Sequence, residues 1–253
     1  MQQWKRCLVL WFGLAWLPTL VSANTVDPAV IMQQLINAYD GIHDYTALFL
    51  KRERIQGVMQ PLEKIELRFQ EPFKVYMAWQ EPDNGRVITY IKGKNDNKIL
   101  ANPGGFLQFI RMSLSPTSAL AMRNEHHSIL EVGLRNTIDL LKQQYERGTR
   151  RNEMELHFRG YGKVDGRPAY HIEFVCHAPK RDGYYAYRGE IWVDQEYHLP
   201  TRLYIYNWDN QLYEHYEYHR LRLNPGLKAK AFIIPAETPA QSSTQTTENA
   251  TDS

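Results

Sequence analysis

The chain has 253 residues, with 30 Lys and Arg against 28 Asp and Glu, a formal net charge of +2 and 2 Cys. So balanced a charge supplies no field for nucleic acid, nor one that would draw anionic lipid headgroups from a distance. The length suits one domain burying roughly 70% of its unfolded surface, and membrane dealings are expected through apolar surface, as peripheral or transient contact only.

Residues 1–23 read as a secretory signal peptide. Lys5 and Arg6 stand without an acid, the run from Leu8 to Leu17 is apolar, Pro18 and Thr19 break it, and Val21-Ser22-Ala23 offers small residues for cleavage after Ala23. The run is shorter than the roughly 20 apolar residues a membrane span needs, and Cys7 precedes the apolar core, where lipidation does not use it. Cleavage removes two cations and no acid, taking the charge from +2 to 0. It leaves Cys176 as the one cysteine, so no internal disulfide can form. The expected compartment is the periplasm.

Asp27 and Pro28 suit the start of a helix, Ile31, Leu35, Ala38, Tyr39 and Ile42 recur on one face, and Gly41 suits its end. Strand patterns follow over residues 45–55, with a turn at Gln56-Gly57-Val58. Ile65, Leu67 and Phe69 then alternate with Lys64, Glu66 and Arg68. After a turn at Glu71-Pro72, Phe73, Val75, Met77 and Trp79 alternate in the same way. Residues 86–91 and 98–101 form a further hairpin. In the middle, Phe106, Leu107, Phe109, Ile110, Met112 and Leu114 crowd a short stretch after Pro103-Gly104-Gly105. Ser115-Pro116 opens a second helical piece through Met122, and a longer helix is expected over residues 128–145, with Leu130, Leu134, Ile138, Leu141 and Tyr145 on one face. So apolar a segment between two blocks of strands belongs inside a curved sheet.

Strands return around Met154, Leu156 and Phe158, around Tyr170, Ile172, Phe174 and Cys176, and over residues 187–193, 201–206 and 212–223. Residues 236–253, rich in Ser, Thr, Gln and Ala, have almost nothing to bury and read as a disordered tail. The fold class is α+β: an open antiparallel half-barrel in residues 24–235, with helices as plug or lid.

The residues carry little chemistry of the usual catalytic kinds. No Gly-x-Ser-x-Gly elbow, phosphate loop or zinc-type Cys/His cluster occurs. His215 and His219 lie on a strand, where four residues span roughly 13 Å, too far for one metal ion. His126-His127 reads as a polar cap with one packed histidine. Cys176 reads as a buried thiol, and Glu63, Glu66 and Glu155 as solvated outer positions. The tyrosines at 184, 185, 187, 204, 206, 213, 216 and 218 suit cross-strand pairing, with sugar binding as the alternative use. A hydrolase would need a polar triad that the motifs do not supply, so no catalytic residue, metal or cofactor is expected.

Several stretches together resemble a bacterial domain-of-unknown-function family (1571) related to LolA and RseB. They are Pro72-Phe73-Lys74-Val75-Tyr76, Trp79 with Pro82, Gly85-Arg86 leading to Tyr90, Ala121-Met122-Arg123 with His127-Ser128-Ile129 and Gly133, Leu199-Pro200-Thr201-Arg202, Leu212-Tyr213-Glu214, and Leu223-Asn224-Pro225-Gly226-Leu227 leading to Phe232. The resemblance covers residues 30–232. It implies a LolA-like half-barrel of about eleven strands holding acyl chains in an apolar cavity. Neither Arg52 nor Arg54 is assigned to the lid-tethering arginine of the lipoprotein carrier, and this length leaves no room for the second domain of RseB.

The expected function is therefore non-catalytic carriage of a lipid or an acylated lipoprotein. The expected cavity wall is Ile65, Leu67, Phe69, Val75, Met77, Trp79, Phe109, Leu134 and Ile138, with methionines at 77, 112 and 122 as a pliable part. The alternative is an interaction module in envelope sensing or polysaccharide traffic, with a filled core and an envelope protein as partner. Its contact patch would be the tyrosine cluster and residues 106–114.

Overall fold

The computed structural model describes residues 26–107 and 109–234. The expected leader (residues 1–23) and tail (236–253) lie outside the described residues.

Helix α1 (Pro28–Ile36) begins where the Asp27 carboxylate accepts the Ala29 N–H at 2.8 Å, and it buries Ile31, Met32 and Leu35. The chain leaves the helix at Asn37, earlier than Gly41, yet Tyr39 and Ile42 remain buried. Two blocks of strands follow. The first runs β1 (Asp44–Ile55), β2 (Val58–Met59), β3 (Glu63–Gln70), β4 (Lys74–Glu81), β5 (Val87–Ile91), β6 (Ile99–Asn102) and β7 (Met112–Leu114). The second runs β8 (Met154–Val164), β9 (Arg167–Cys176), β10 (Arg188–Asp194), β11 (Pro200–Tyr206) and β12 (Leu212–Leu223).

Eleven of these strands form one open antiparallel sheet in the order β7-β6-β5-β4-β3-β1-β12-β11-β10-β9-β8, and β2 pairs only with the end of β1. Each block is a meander of sequential antiparallel neighbours. The two meanders meet at the β1–β12 seam, where Phe49 lies opposite Tyr218, Lys51 opposite Tyr216 and Glu53 opposite Glu214. The half-barrel of about eleven strands is thus what the chain forms.

Helix α2 (Leu134–Arg151) connects the blocks and lies against the inner face of the sheet. The continuous helix expected from residue 128 is interrupted. Ser128 caps a single 3-10 turn (Ile129–Glu131) through a reciprocal bond with Glu131, and α2 starts only after Gly133. Gly133 has φ +120°, and a Cβ there would come within 3.0 Å of both the Phe69 ring and the Tyr45 hydroxyl. That close approach lets the Tyr45 hydroxyl accept the Leu134 N–H at 3.0 Å, so the helix N-terminus is capped by the sheet itself.

Two further expectations for the middle segment are corrected. Residues 115–122 form isolated turns and no helix, because the Ser118 hydroxyl donates to the Ser115 carbonyl at 2.8 Å and accepts the Ala121 N–H at 3.3 Å, competing with a helical ladder. Of the apolar stretch after Gly105, Phe106, Leu107, Phe109 and Ile110 do not enter the curve, whereas Leu114 packs against the core. Phe106 is fully exposed, Phe109 is 71% exposed, and Leu107 and Ile110 are exposed with them. The short strand β7 sits at the edge of the sheet, so this loop leaves the sheet at its border.

The core joins the inner residues of β1, β3 and β4 to both helices: Tyr45, Ile65, Leu67, Phe69, Val75, Ile31, Leu35, Leu134 and Ile138 are all 2% exposed or less. Tyr45 and Phe69 stack with centroids 5.2 Å apart. Each such side chain contributes roughly 1.5–3 kcal/mol of burial, which is ample reason for the fold to hold without a disulfide.

Candidate functional site

Helix α2 cannot fill the whole concavity. Its stripe of Leu134 and Ile138 is spent on the core. The adjacent stripe of Gly133, Asn136, Thr137, Leu140 and Gln144 faces a cavity of about 710 Å³ between helix and sheet. Strands from both blocks supply the opposite wall: Phe49 from β1, Met77 and Trp79 from β4, Ile88 and Ile99 from β5 and β6, Phe174 from β9, and Leu203 and Ile205 from β11. Ile129 and Leu130 close it from the connecting segment.

Of the nine residues expected to line such a space, Met77 and Trp79 do so. Ile65, Leu67, Phe69, Val75, Leu134 and Ile138 stand outside this lining, in the packed core under the two helices. Phe109 is corrected outright, since it points to solvent on the edge loop. For the six core residues the physical reason is shared. Alternation tells which side of a strand is inner, but not which inner positions a helix will cover.

One end of the cavity is charged. Lys51 and Glu53 continue the inner face of β1 beyond Tyr45, Ala47 and Phe49, and Glu214 continues that of β12 beyond Tyr218 and Tyr216. Lys51 is buried among three carboxylates, in contact with Glu125, 3.3 Å from Glu63 and 3.7 Å from Glu53. Burial works against its charge, but the charges of Glu125, Glu53 and Glu63 prevail and hold the ammonium above its ordinary value. Burial pushes Glu125 up, with Lys51 opposing. Arg86 lies over the Trp79 ring at 4.1 Å and reaches toward Glu125 at 3.8 Å. Glu63 therefore departs from the solvated position expected of it: it shares the parity of Ile65, so it faces inward and pairs with Lys51.

Glu214 is the hub of the second half. It accepts from the Tyr185 hydroxyl and lies 2.8 Å from His126 Nδ1 and 3.1 Å from His127 Nε2. Burial raises its carboxyl, but the hydrogen bonds from His126 and His127 outweigh that and bring it down to about 2. Burial likewise opposes charge on both imidazoles, and the bond to Glu214 wins, holding each above the usual histidine value. Glu53 accepts the His126 N–H at 2.9 Å and the Tyr216 hydroxyl. Together these residues make a buried acid–base cluster at one end of an apolar space. Lys51, Glu53, Arg86 and Glu125 also back onto a smaller pocket of about 140 Å³.

The sequence reading missed this cluster. His126-His127 is no simple cap: the pair reaches across to β12, more than eighty positions away in the chain. The available signal was the parity of β1 and β12, where Lys51, Glu53 and Glu214 fall on the apolar side. Arg52 and Arg54 have local work, donating to the carbonyls of Gln60 and of Leu212 and Gly57. Of the tyrosine cluster, Tyr185, Tyr216 and Tyr218 line the cavity, while Tyr204 lies on the other face with His215 and Glu217. His215 and His219 each lie 2.7 Å from Glu217 on β12. Cys176 is buried, and burial pushes its thiol up.

The fold is similar to that of MucB, with a TM-score of 0.50 at 14% identity, covering 85% of this chain and 65% of that one. Other similar structures are the Mycobacterium tuberculosis lipoprotein LppX (TM-score 0.47, 12% identity, 80% of this chain and 99% of that one) and a LolA superfamily protein from Nitrosomonas europaea (TM-score 0.34, 12% identity, 83% and 98%). No curated protein sequence matches the chain. The family model described as "Protein of unknown function (DUF1571)" matches residues 42–238, and the chain belongs to that family.

Proposed function

We propose that this protein is a non-catalytic component of the bacterial cell envelope that binds the acyl chain of a lipid or lipoprotein in the cavity between α2 and the sheet, working in the periplasm after removal of its leader. The observation that carries the reading is the cavity itself. Its volume of about 710 Å³ falls within the roughly 300–1,000 Å³ of small-molecule sites, and most of its wall is aliphatic or aromatic. An acyl chain of about sixteen carbons would gain ~0.8 kcal/mol per methylene, on the order of 12 kcal/mol gross. Association entropy removes roughly half of that, and the about 6 kcal/mol left corresponds to a Kd of tens of micromolar. The charged end would face the polar part of the ligand.

Native mass spectrometry of the protein purified from its own periplasm, followed by organic extraction, tests the proposal. The expected result is a bound mass that extracts as an acylated lipid and is lost in a cavity-filling Ala121→Phe variant. A clean apo mass, unchanged after incubation with envelope lipids, would defeat it.

A second reading has its own support in the edge loop. Phe106 is fully exposed and Phe109 is 71% exposed, and so apolar a projection suits contact with an envelope protein. A complex that survives delipidation and is lost in a Phe106→Ser, Phe109→Ser variant would favour this reading over carriage.

A further inference from the structure

Glu53 and Glu214 lie directly opposite each other across the β1–β12 seam, both on the inner face and both at most 2% exposed. Like charges so placed repel, and burial deepens the cost. The nearest Lys or Arg partner of either carboxylate is Lys51, 3.7 Å from Glu53 and shared with Glu63 and Glu125. What stands between the pair is His126.

The orientation of His126 is fixed from three sides. Its Nε2 is 3.1 Å from the Arg54 carbonyl, which can only accept, so the Nε2 position carries the proton. Its ring stacks on Tyr213 at 4.1 Å between centroids, and its backbone N–H is held by Glu53. The remaining nitrogen, Nδ1, therefore faces a Glu214 oxygen at 2.8 Å. In a neutral imidazole these would be two lone pairs pointed at each other, so a positive charge must sit at this spot. It is either a second proton or a metal ion. An imidazole whose far N–H is anchored on a backbone carbonyl is the usual state of a metal-ligating histidine.

We propose that Glu53, His126 and Glu214 bind one divalent first-row metal ion, of the zinc or manganese class. Their ligand atoms all lie within 4.8 Å of one another. Ligands held at about 2.1 Å around a tetrahedral ion stand about 3.4 Å apart. The His126–Glu214 contact has to open by about 0.6 Å and the others to close by at most about 1.4 Å to reach that spacing. One imidazole and two carboxylates form a nitrogen–oxygen set suited to these ions. His127, with Nε2 3.1 Å from Glu214, is placed to complete or support the set. Glu53, His127 and Glu214 line the large cavity, so an ion has a route in. The site stands whether or not the cavity carries a lipid.

The test is isothermal titration of the tag-free, chelator-stripped chain with zinc chloride in the absence of lipid. One equivalent should bind with a Kd in the micromolar range or tighter, and chelator should reverse it. Glu53→Gln and His126→Gln should each weaken binding at least tenfold, while His215→Gln with His219→Gln on the opposite face should leave it unchanged. Zinc-edge X-ray absorption of the wild-type chain supplies a readout that needs no variant, with a first shell of nitrogen and oxygen containing imidazole. Absence of saturable one-equivalent binding, binding that survives both Glu53→Gln and His126→Gln, or an all-water first shell would overturn the site. Lipid extraction from the same protein reports separately on the cavity, so either idea can fail alone.

Discussion

Strand β12 carries two glutamates three positions apart, on opposite faces of one sheet, and each grips two histidines. Outer Glu217 lies 2.7 Å from both His215 and His219, its neighbours two residues away on the same strand, and Arg202 of β11 adds a permanent cation at 2.9 Å. Inner Glu214 lies beside His126 and His127, which come from a distant connecting segment, and its cross-strand neighbour is Glu53. The outer group is local, with Glu217 itself buried and its partners partly exposed, and it is balanced by an arginine. The inner group is long-range and buried, with imidazoles on Glu214 and only the shared Lys51 on Glu53. A network built the first way is a surface ladder that stabilises a sheet. One built the second way is costly to fold, and in a cavity wall such cost makes it a candidate site.

The largest expected effect follows from Lys51, which has no outer counterpart so deeply placed. Lys51→Met leaves Glu53, Glu63 and Glu125 with their shared cation gone. Removing one partner of a buried ionic group costs about 3–5 kcal/mol, and urea unfolding should show a loss of that size. An unchanged midpoint would mean that Arg86 or protonation of Glu125 neutralises the cluster instead.

Next in size is the direct contrast. Glu214→Gln keeps one oxygen acceptor but removes, in a closed space, the negative charge that the Tyr185 hydroxyl and two histidines face, and should cost about 2–3 kcal/mol. Glu217→Gln likewise keeps one oxygen acceptor, but its partners His215, His219 and Arg202 are groups that water also reaches, and it should cost less, about 1.5 kcal/mol. Equal losses from the two variants, measured by denaturant unfolding, would erase the distinction between the faces.

This contrast also explains how far the sequence could be read. The strands and the open sheet were legible because Ile65-Leu67-Phe69 and Val75-Met77-Trp79 alternate, and alternation is a local property that survives folding. Phe109 was misplaced because an apolar run says only that burial would be favourable, and with β7 at the edge this loop leaves the sheet at its border. The six core residues expected in the cavity wall were misplaced because helix α2 chooses which inner positions it covers through Gly133 and Tyr45, a contact 88 residues apart. His126 and Glu214 were missed for the same reason. Their link is tertiary, whereas His215-x-Glu217-x-His219 is written in the chain as neighbours.

A smaller effect is expected from acid. On the outer face Glu217 is raised by burial, but bonds from His215, Arg202 and His219 outweigh this and bring it well below its ordinary 4.5. Glu173 is depressed in the same way against burial by Arg159 and Arg188, and Asp194 by Arg167. A carboxyl held low in the folded state binds its proton more readily when unfolded, so these groups stabilise fully above about pH 5. Their contribution is lost as pH falls through the acid range toward their folded values. The urea midpoint should decline from pH 5 to pH 3, and the decline should be shallower in Glu217→Gln. An identical slope in that variant would mean that the outer ladder does not couple to acid unfolding.

The smallest effect on stability is expected at the edge loop, and it separates folding from contact. Phe106 and Phe109 bury little in the fold, so Phe106→Ser with Phe109→Ser should move the unfolding midpoint by no more than about 0.5 kcal/mol. An aromatic side chain held in solvent gains nothing for the folded chain, whereas the same ring placed in a partner or a bilayer surface gains about 1.5–3 kcal/mol. The double variant should therefore keep its fold while losing retention on envelope membranes or on an envelope protein, read by co-sedimentation and by pull-down. A fall in stability well beyond 0.5 kcal/mol would show instead that the loop folds back onto the sheet edge in solution, and its two phenylalanines would then belong to the core and not to any contact surface.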